Sequence, residues 1–220
     1  MESEDFIDAN DPEAGTDRFS LENSKLLAIE VDEPVFAKVG AMVAYTGAVS
    51  FTGKSSAEGG ITGFLKDAAT SEGTDVMQAE GSGTLYVADG AKEIQVLDLD
   101  EGETISVNGD DVLAFEDRVD YEISTIDSLA GSSTGGLTNV FLEGPGQIAI
   151  TTHGDPIVLE PPVTTDPAAT VAWSGTAAPT SSVNRSLSDM VGQSSGETYQ
   201  LAFEGTEGFV VVQPFEERQP

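Results

Sequence analysis

"EGSGTLYVADG" runs from Glu80 to Gly90, and "EGPGQIAITTHG" runs from Glu143 to Gly154. The two are near copies. Each follows a glycine and an apolar run, "GTDVMQAEG" at Gly73–Gly81 and "GLTNVFLEG" at Gly136–Gly144. A third version, "GETYQLAFEG" at Gly196–Gly205, leads into "TEGFVVVQP". The shared pattern is strand, Glu-Gly, a short spacer, glycine, strand. Glycine reaches positive φ without steric penalty, as tight hairpins require. Gly81, Gly83, Gly144, Gly146, Gly205 and Gly208 are therefore read as structural turn glycines. The flanks alternate as strands do. Tyr199, Leu201 and Phe203 share one face, with Gln200, Ala202 and Glu204 on the other.

A second phrase recurs between the copies of the first: "MVAY" at Met42–Tyr45, "VLAF" at Val112–Phe115 and "TVAW" at Thr170–Trp173. The pairs Ala44 and Tyr45, Ala114 and Phe115, and Ala172 and Trp173 are read as repeated core positions. Two interleaved phrases, each present three times, point to an internal triplication with a unit of roughly sixty residues. Such a unit buries too little surface to be comfortable alone. Three of them would share a core around a pseudo-threefold axis.

This predicts an all-β fold. "ISV" (Ile105–Val107) and "VDYEI" (Val119–Ile123) alternate as strands, and "EIQVLDLD" slips register at Val96 and Leu97, as a bulge would. One short crossover helix is expected near 60–69, where Ile61, Phe64, Leu65 and Ala68 fall at helical spacing. Residues 1–18 read as a mobile acidic tail, 19–214 as one three-lobed domain, and 215–220 as a second tail. Lobe one covers about 19–53 and is closed by 196–214, lobe two covers about 73–124, and lobe three about 136–186. Closure in a ring would bring Phe209–Val212 beside Leu26–Val31.

The chain of 220 residues carries 39 acidic side chains against 9 basic ones, a formal net charge of −30. A surface of one sign repels itself, and salt screens the repulsion over a Debye length of roughly 3 Å at 1 M. The balance is read as adaptation to molar salt. It disfavours nucleic acid as a partner, because few cations are available to displace counterions. No apolar run is long enough for a transmembrane segment, and the acidic N-terminus has no signal-peptide pattern. A soluble, cytoplasmic protein is expected. There is no cysteine, which excludes disulfides and thiolate chemistry.

With the repeats laid out, the chain resembles a known family. "VFAKVGAMVAYTGAVSF", "GSGTLYVADG", "GGLTNVFLEGPGQIAITTHGDPIVL", "TVAWS" and "GFVVVQP" are similar to stretches of the altered-inheritance-of-mitochondria family, linked to mitochondrial biogenesis. The chain looks like an acidic, haloarchaeal-type member. The resemblance implies three β repeats, similar to double-stranded β-helices and to the tryptophan RNA-binding attenuation protein. It implies no catalytic motif.

Chemistry-bearing motifs are sparse. His153 is the one histidine, so no second imidazole can assist it. One histidine is also too few for the two-histidine metal sites common in double-stranded β-helix enzymes. "GPGQIA" (Gly144–Ala149) fits a dinucleotide fingerprint formally, but a strand and prolines follow it where a helix is needed. "GITG" (Gly60–Gly63) has only Lys54 and Lys66 nearby for an RNA backbone. "DLDEGE" (Asp98–Glu103) places Glu103 where a calcium loop needs glycine. "NRS" at Asn184–Ser186 is a sequon without a secretory context. No catalytic residue, metal ligand or cofactor is assigned.

The favoured reading is a non-enzymatic binding or scaffold protein acting by surface recognition on an unknown protein partner. The alternatives are a small-molecule binder with a pocket between lobes, walled by the aromatic strand ends, and a carboxylate-only hydrolase. Exposed β edges also allow a homo-oligomer.

Overall fold

Apolar residues at alternate positions, interrupted by glycine, proline and acidic pairs, make the chain mostly strand. The computed structural model describes residues 2–12, 15, 17–52, 76–126, 137–183 and 199–216. A helix, α1 (Ser3–Ala9), lies in the expected N-terminal tail. The first strands are β1 (Phe19–Asn23), β2 (Leu26–Val31), β3 (Val35–Lys38), β4 (Met42–Thr52) and β5 (Val76–Val87). The middle of the chain forms β6 (Glu93–Leu99), β7 (Thr104–Asn108), β8 (Val112–Glu116), β9 (Asp120–Ile126), β10 (Leu137–Glu143) and β11 (Gly146–Thr152). The last are β12 (Ile157–Leu159), β13 (Val163–Thr165), β14 (Thr170–Ser174), β15 (Thr180–Val183), β16 (Tyr199–Phe203) and β17 (Val210–Val212). No helix among the described residues is long and apolar enough to cross a membrane.

The described strands form three antiparallel sheets. The first has the order β1-β2-β5-β3-β8-β11-β6, with β4 on the far edge of β5. It curls into a nearly closed, barrel-like layer around Leu27, Ile29, Val35, Leu85, Val87 and Leu113. The second has the order β12-β17-β14-β7-β10-β9, and the third β13-β16-β15. Phe115, Ile148, Val107, Leu142 and Val211 fill the space between the first and second sheets. Trp173, Val210, Leu201 and Phe203 fill that between the second and third.

The repeated glycines do something other than turn hairpins. Gly81 and Gly83 lie inside β5, which continues through them without reversing. There β5 keeps β4 on one edge and exchanges β3 for β2 on the other. At Gly144–Gly146 the chain leaves β10 of the second sheet and enters β11 of the first. At Gly205–Gly208 it leaves β16 of the third and enters β17 of the second. A hairpin turn requires the flanking strands to pair with each other, and these do not. The phrase instead marks a change of sheet partner. Gly81 is required because its φ is +130° and an added Cβ would run into the carbonyl of Ala48.

The alanine-aromatic phrases share a second device. Phe115 faces Ile148 and Ala114 faces Ala149, but the next rung is Val112 to Ile150, leaving Leu113 extra. The rungs Trp173–Val210, Ala172–Val211 and Thr170–Val212 leave Val171 extra. The rungs Tyr45–Leu85, Ala44–Tyr86 and Met42–Val87 leave Val43 extra. A bulge at that place lets neighbouring residues serve different layers. In β8 it sends Leu113 and Ala114 into the barrel core, and Val112 and Phe115 between the sheets.

Several expectations need correction. β17 pairs with β12 and β14, whereas both edges of β2 are filled by β1 and β5, so the C-terminal strand does not close the first lobe. It pairs instead with the alanine-aromatic phrase nearest to it in sequence, a cheaper loop to close. β6 runs against β11 from Glu93 to Leu99 without a register shift, so no bulge occurs at Val96 and Leu97. Arg18 belongs to the folded body and not to a tail, since it bonds Glu30, Glu33 and Glu116. Phe215 also belongs to it, with its ring 4.3 Å from that of His153. The expected helix near 60–69, with Lys54 and Lys66, and the Asn184 sequon lie outside the described residues.

Candidate interaction surface

Of the six residues read as core alanine-aromatic pairs, four are buried: Ala114, Phe115, Ala172 and Trp173. Ala44 and Tyr45 are exposed, Tyr45 by 48%, which corrects the reading of them as core. The reason is what covers each strand. The outer edge of β8 is taken by β3, with Phe36 opposite Phe115. The outer edge of β14 is taken by β7, with Ser106 opposite Trp173. β4 pairs with β5 on one edge, and no described strand pairs with the other. Met42 and Val43 are exposed beside Tyr45, Val43 by 57%. The Tyr45 ring packs edge-on against Phe51 of the same strand, 5.4 Å between centroids. β4 thus presents an uncapped ladder with apolar side chains along it.

The buried aromatics are spent on packing. Phe36, Phe115 and Tyr121 contact one another at 5.0–5.5 Å, and Trp173 lies 5.8 Å from Phe203.

Polar clusters hold the corners. Glu116, only 3% exposed, accepts from Arg18 at 3.1 Å, from Arg118 at 2.6 Å and from the Gln147 N–H at 2.8 Å. Burial pushes the Glu116 carboxyl up, but the Gln147 N–H and the two guanidiniums outweigh it, so the group titrates below its ordinary value. An added Cβ at Gly146 would lie 2.9 Å from a Glu116 oxygen, which ties that glycine to the clamp. Lys92 bonds fully buried Asp111 at 2.8 Å. Lys38 bonds Asp89 at 2.8 Å and the Asp110 carbonyl at 2.7 Å. Lys25 reaches Glu93 at 3.4 Å. Every lysine and arginine among the described residues is therefore engaged in an internal ion pair. Sequence reasoning missed these ties because all but the Arg118–Glu116 pair join residues far apart in the chain.

The remaining candidates lie in connections between strands. His153 donates its backbone N–H to the Gln213 side-chain oxygen at 2.8 Å. Asp100 and Glu103 bond each other across the turn between β6 and β7. Gly205 and Gly208 lie in the passage from β16 to β17, and only Gly208 has positive φ. Among the described residues, no three histidine or acidic side chains gather as a metal site would need.

The sequence model of the mitochondrial biogenesis AIM24 family matches residues 19–215. The chain belongs to this family. The match begins at the first residue of β1 and ends at Phe215, so the matched region includes β1 to β17. The AIM24 fold recurs in a crystal structure of protein SPYM3_0169 from Streptococcus pyogenes, with TM-score 0.68 and 23% identity. That similarity covers 90% of this chain and 92% of the other. No curated protein matches the chain.

Proposed function

We propose that this AIM24-family chain is a non-enzymatic binding or scaffold protein that works through surface recognition at β4. The observation that carries the reading is the uncapped β4 edge with Met42, Val43 and Tyr45 exposed along it. Strand addition at such an edge gains main-chain hydrogen bonds, and the alternate side chains give specificity. The engagement of the described cations in internal pairs leaves an acidic exterior, suited to molar salt in a haloarchaeal-type setting.

The reading includes three copies of one unit about a pseudo-threefold axis, in the manner of a double-stranded β-helix. Three bulged phrases with matching rungs and three Glu-Gly passages between sheet partners support it. The test is association at molar salt of the full chain and of Val43→Lys and Tyr45→Lys, each first shown to keep its fold by circular dichroism. Loss of association in the variants is expected. Unchanged association, or turnover in a pooled screen of small substrates, overturns the reading.

A further inference from the structure

The two bulged strands that are covered show what a bulged strand takes on its outer edge. β8 takes β3, with rungs Glu116–Val35, Phe115–Phe36 and Ala114–Ala37. β14 takes β7, with rungs Ser174–Ile105, Trp173–Ser106 and Ala172–Val107. The covering strands are themselves alike. β3 pairs on its other edge with β5 through Val35–Ala79 and Phe36–Gln78, and Ala79 directly precedes the Glu-Gly of its phrase. β7 pairs with β10 through Ile105–Leu142 and Ser106–Phe141, and Leu142 directly precedes the next Glu-Gly. One more strand has this character. β13 pairs with β16 through Val163–Phe203 and Thr164–Ala202, and Phe203 directly precedes the third Glu-Gly. β13 pairs with β16 alone among the described strands. Among the described strands, one of the three bulged alanine-aromatic strands is therefore without a cover, β4, and one strand of the covering type is without such a strand to cover, β13.

We infer that the β4 edge takes strand β13 of a second copy of this chain. The inference rests on the reading of β4 as the recognition surface and names its occupant. The register follows from the two pairings already present: Tyr45 opposite Thr164, Ala44 opposite Thr165, and Thr46 opposite Val163. Charge agrees with this placement. In a chain with 39 acidic residues, the 11 residues of β4 include none, and neither do the three of β13. Two charge-free strands can meet without the repulsion that the rest of the exterior imposes. An aromatic opposite a β-branched residue, Tyr45 on Thr164, is a favourable cross-strand pair. The contact is head-to-tail, so copies either close a ring or extend.

The absence of native cysteine makes the register directly testable. Tyr45→Cys and Thr164→Cys are made as separate full-length variants, checked for fold by circular dichroism, mixed in molar salt and mildly oxidised. A disulfide needs Cα atoms within about 7 Å. The expected product is a one-to-one cross-linked dimer of the two variants, with Thr52→Cys and Thr164→Cys giving none. The doubly substituted chain is the control. If it closes within one chain while the mixed single variants stay apart, β13 covers β4 in cis and the second-copy inference fails. It also fails if Tyr45→Cys cross-links only to itself. The wild type, followed by light scattering in molar salt, is expected to gain mass with concentration, and Val43→Lys to shift that onset upward by about tenfold. A wild type that stays monomeric at every concentration overturns this inference alone. Unchanged association of Val43→Lys and Tyr45→Lys with every partner overturns the surface reading as well.

Discussion

Phe36 lies opposite Phe115 across the β3–β8 ladder, and the two rings stack with centroids 5.2 Å apart. Tyr121 packs against both. The contact joins a strand from the first third of the chain to one from the second. Phe115→Ala is expected to cost about 3–5 kcal/mol in denaturant unfolding at molar salt. A double-mutant cycle with Phe36→Ala should return a coupling of about 0.5–1.5 kcal/mol. Additive costs would show that the rings contribute burial and no pair term.

Glu116 sets a pH dependence with a definite sign. Its carboxyl titrates below the ordinary value of 4.5 in the fold and at that value in the unfolded chain. As pH falls, the unfolded state therefore takes up the proton first. The stabilisation is whole above pH 4.5 and is lost as pH falls through the lower, folded value. Glu116→Gln should be less stable at neutral pH and show a flatter loss of stability on acidification. Glu116→Ala, which strands Arg18 and the Gln147 N–H, should cost about 3 kcal/mol. Equal acid slopes for wild type and Glu116→Gln would contradict the assignment.

Two glycines of the same repeated phrase should respond differently. Gly81→Ala puts a Cβ against the Ala48 carbonyl at positive φ and should cost about 2 kcal/mol or more. At Gly205 the nearest atoms to an added Cβ lie 3.9 Å away, so Gly205→Ala should stay within about 0.5 kcal/mol of wild type. Thermal unfolding of both variants in one buffer separates the cases.

Ion pairs should divide by burial. Lys92→Ala leaves the carboxylate of Asp111 buried beside a lost partner and should cost about 3 kcal/mol. Lys25→Ala removes a pair whose lysine is exposed, at 3.4 Å, and should cost under about 0.5 kcal/mol. Comparable losses in the two variants would show that charge balance, and not burial, governs these contacts.

Strand positions and family were legible because alternation and recurring phrases are local signals. Leu201 and Phe203 read as one face of a strand, and both are buried. What each strand pairs with was not legible. Glycine spacing reports backbone freedom, so a hairpin and a change of sheet partner look the same at Gly144 and Gly146. "MVAY" resembles "VLAF" and "TVAW" in letters, yet Tyr45 is exposed because no described strand caps β4. Burial depends on the neighbour, and the neighbour is not written in the phrase. The Glu116 clamp was hidden for the same reason, since Arg18 and Gln147 stand far from it in sequence.

The extra residue at Val43, Leu113 and Val171 makes each phrase a measure of length more than of composition. The three phrases share one letter, alanine, and vary the aromatic among tyrosine, phenylalanine and tryptophan. Exchanging letters leaves the count intact. Removing Leu113 would exchange the layers that Ala114 and Phe115 face, delivering a ring into a space shaped for a methyl group. A single-codon deletion shifts the facing of the residues beyond it in the strand, which a substitution does not.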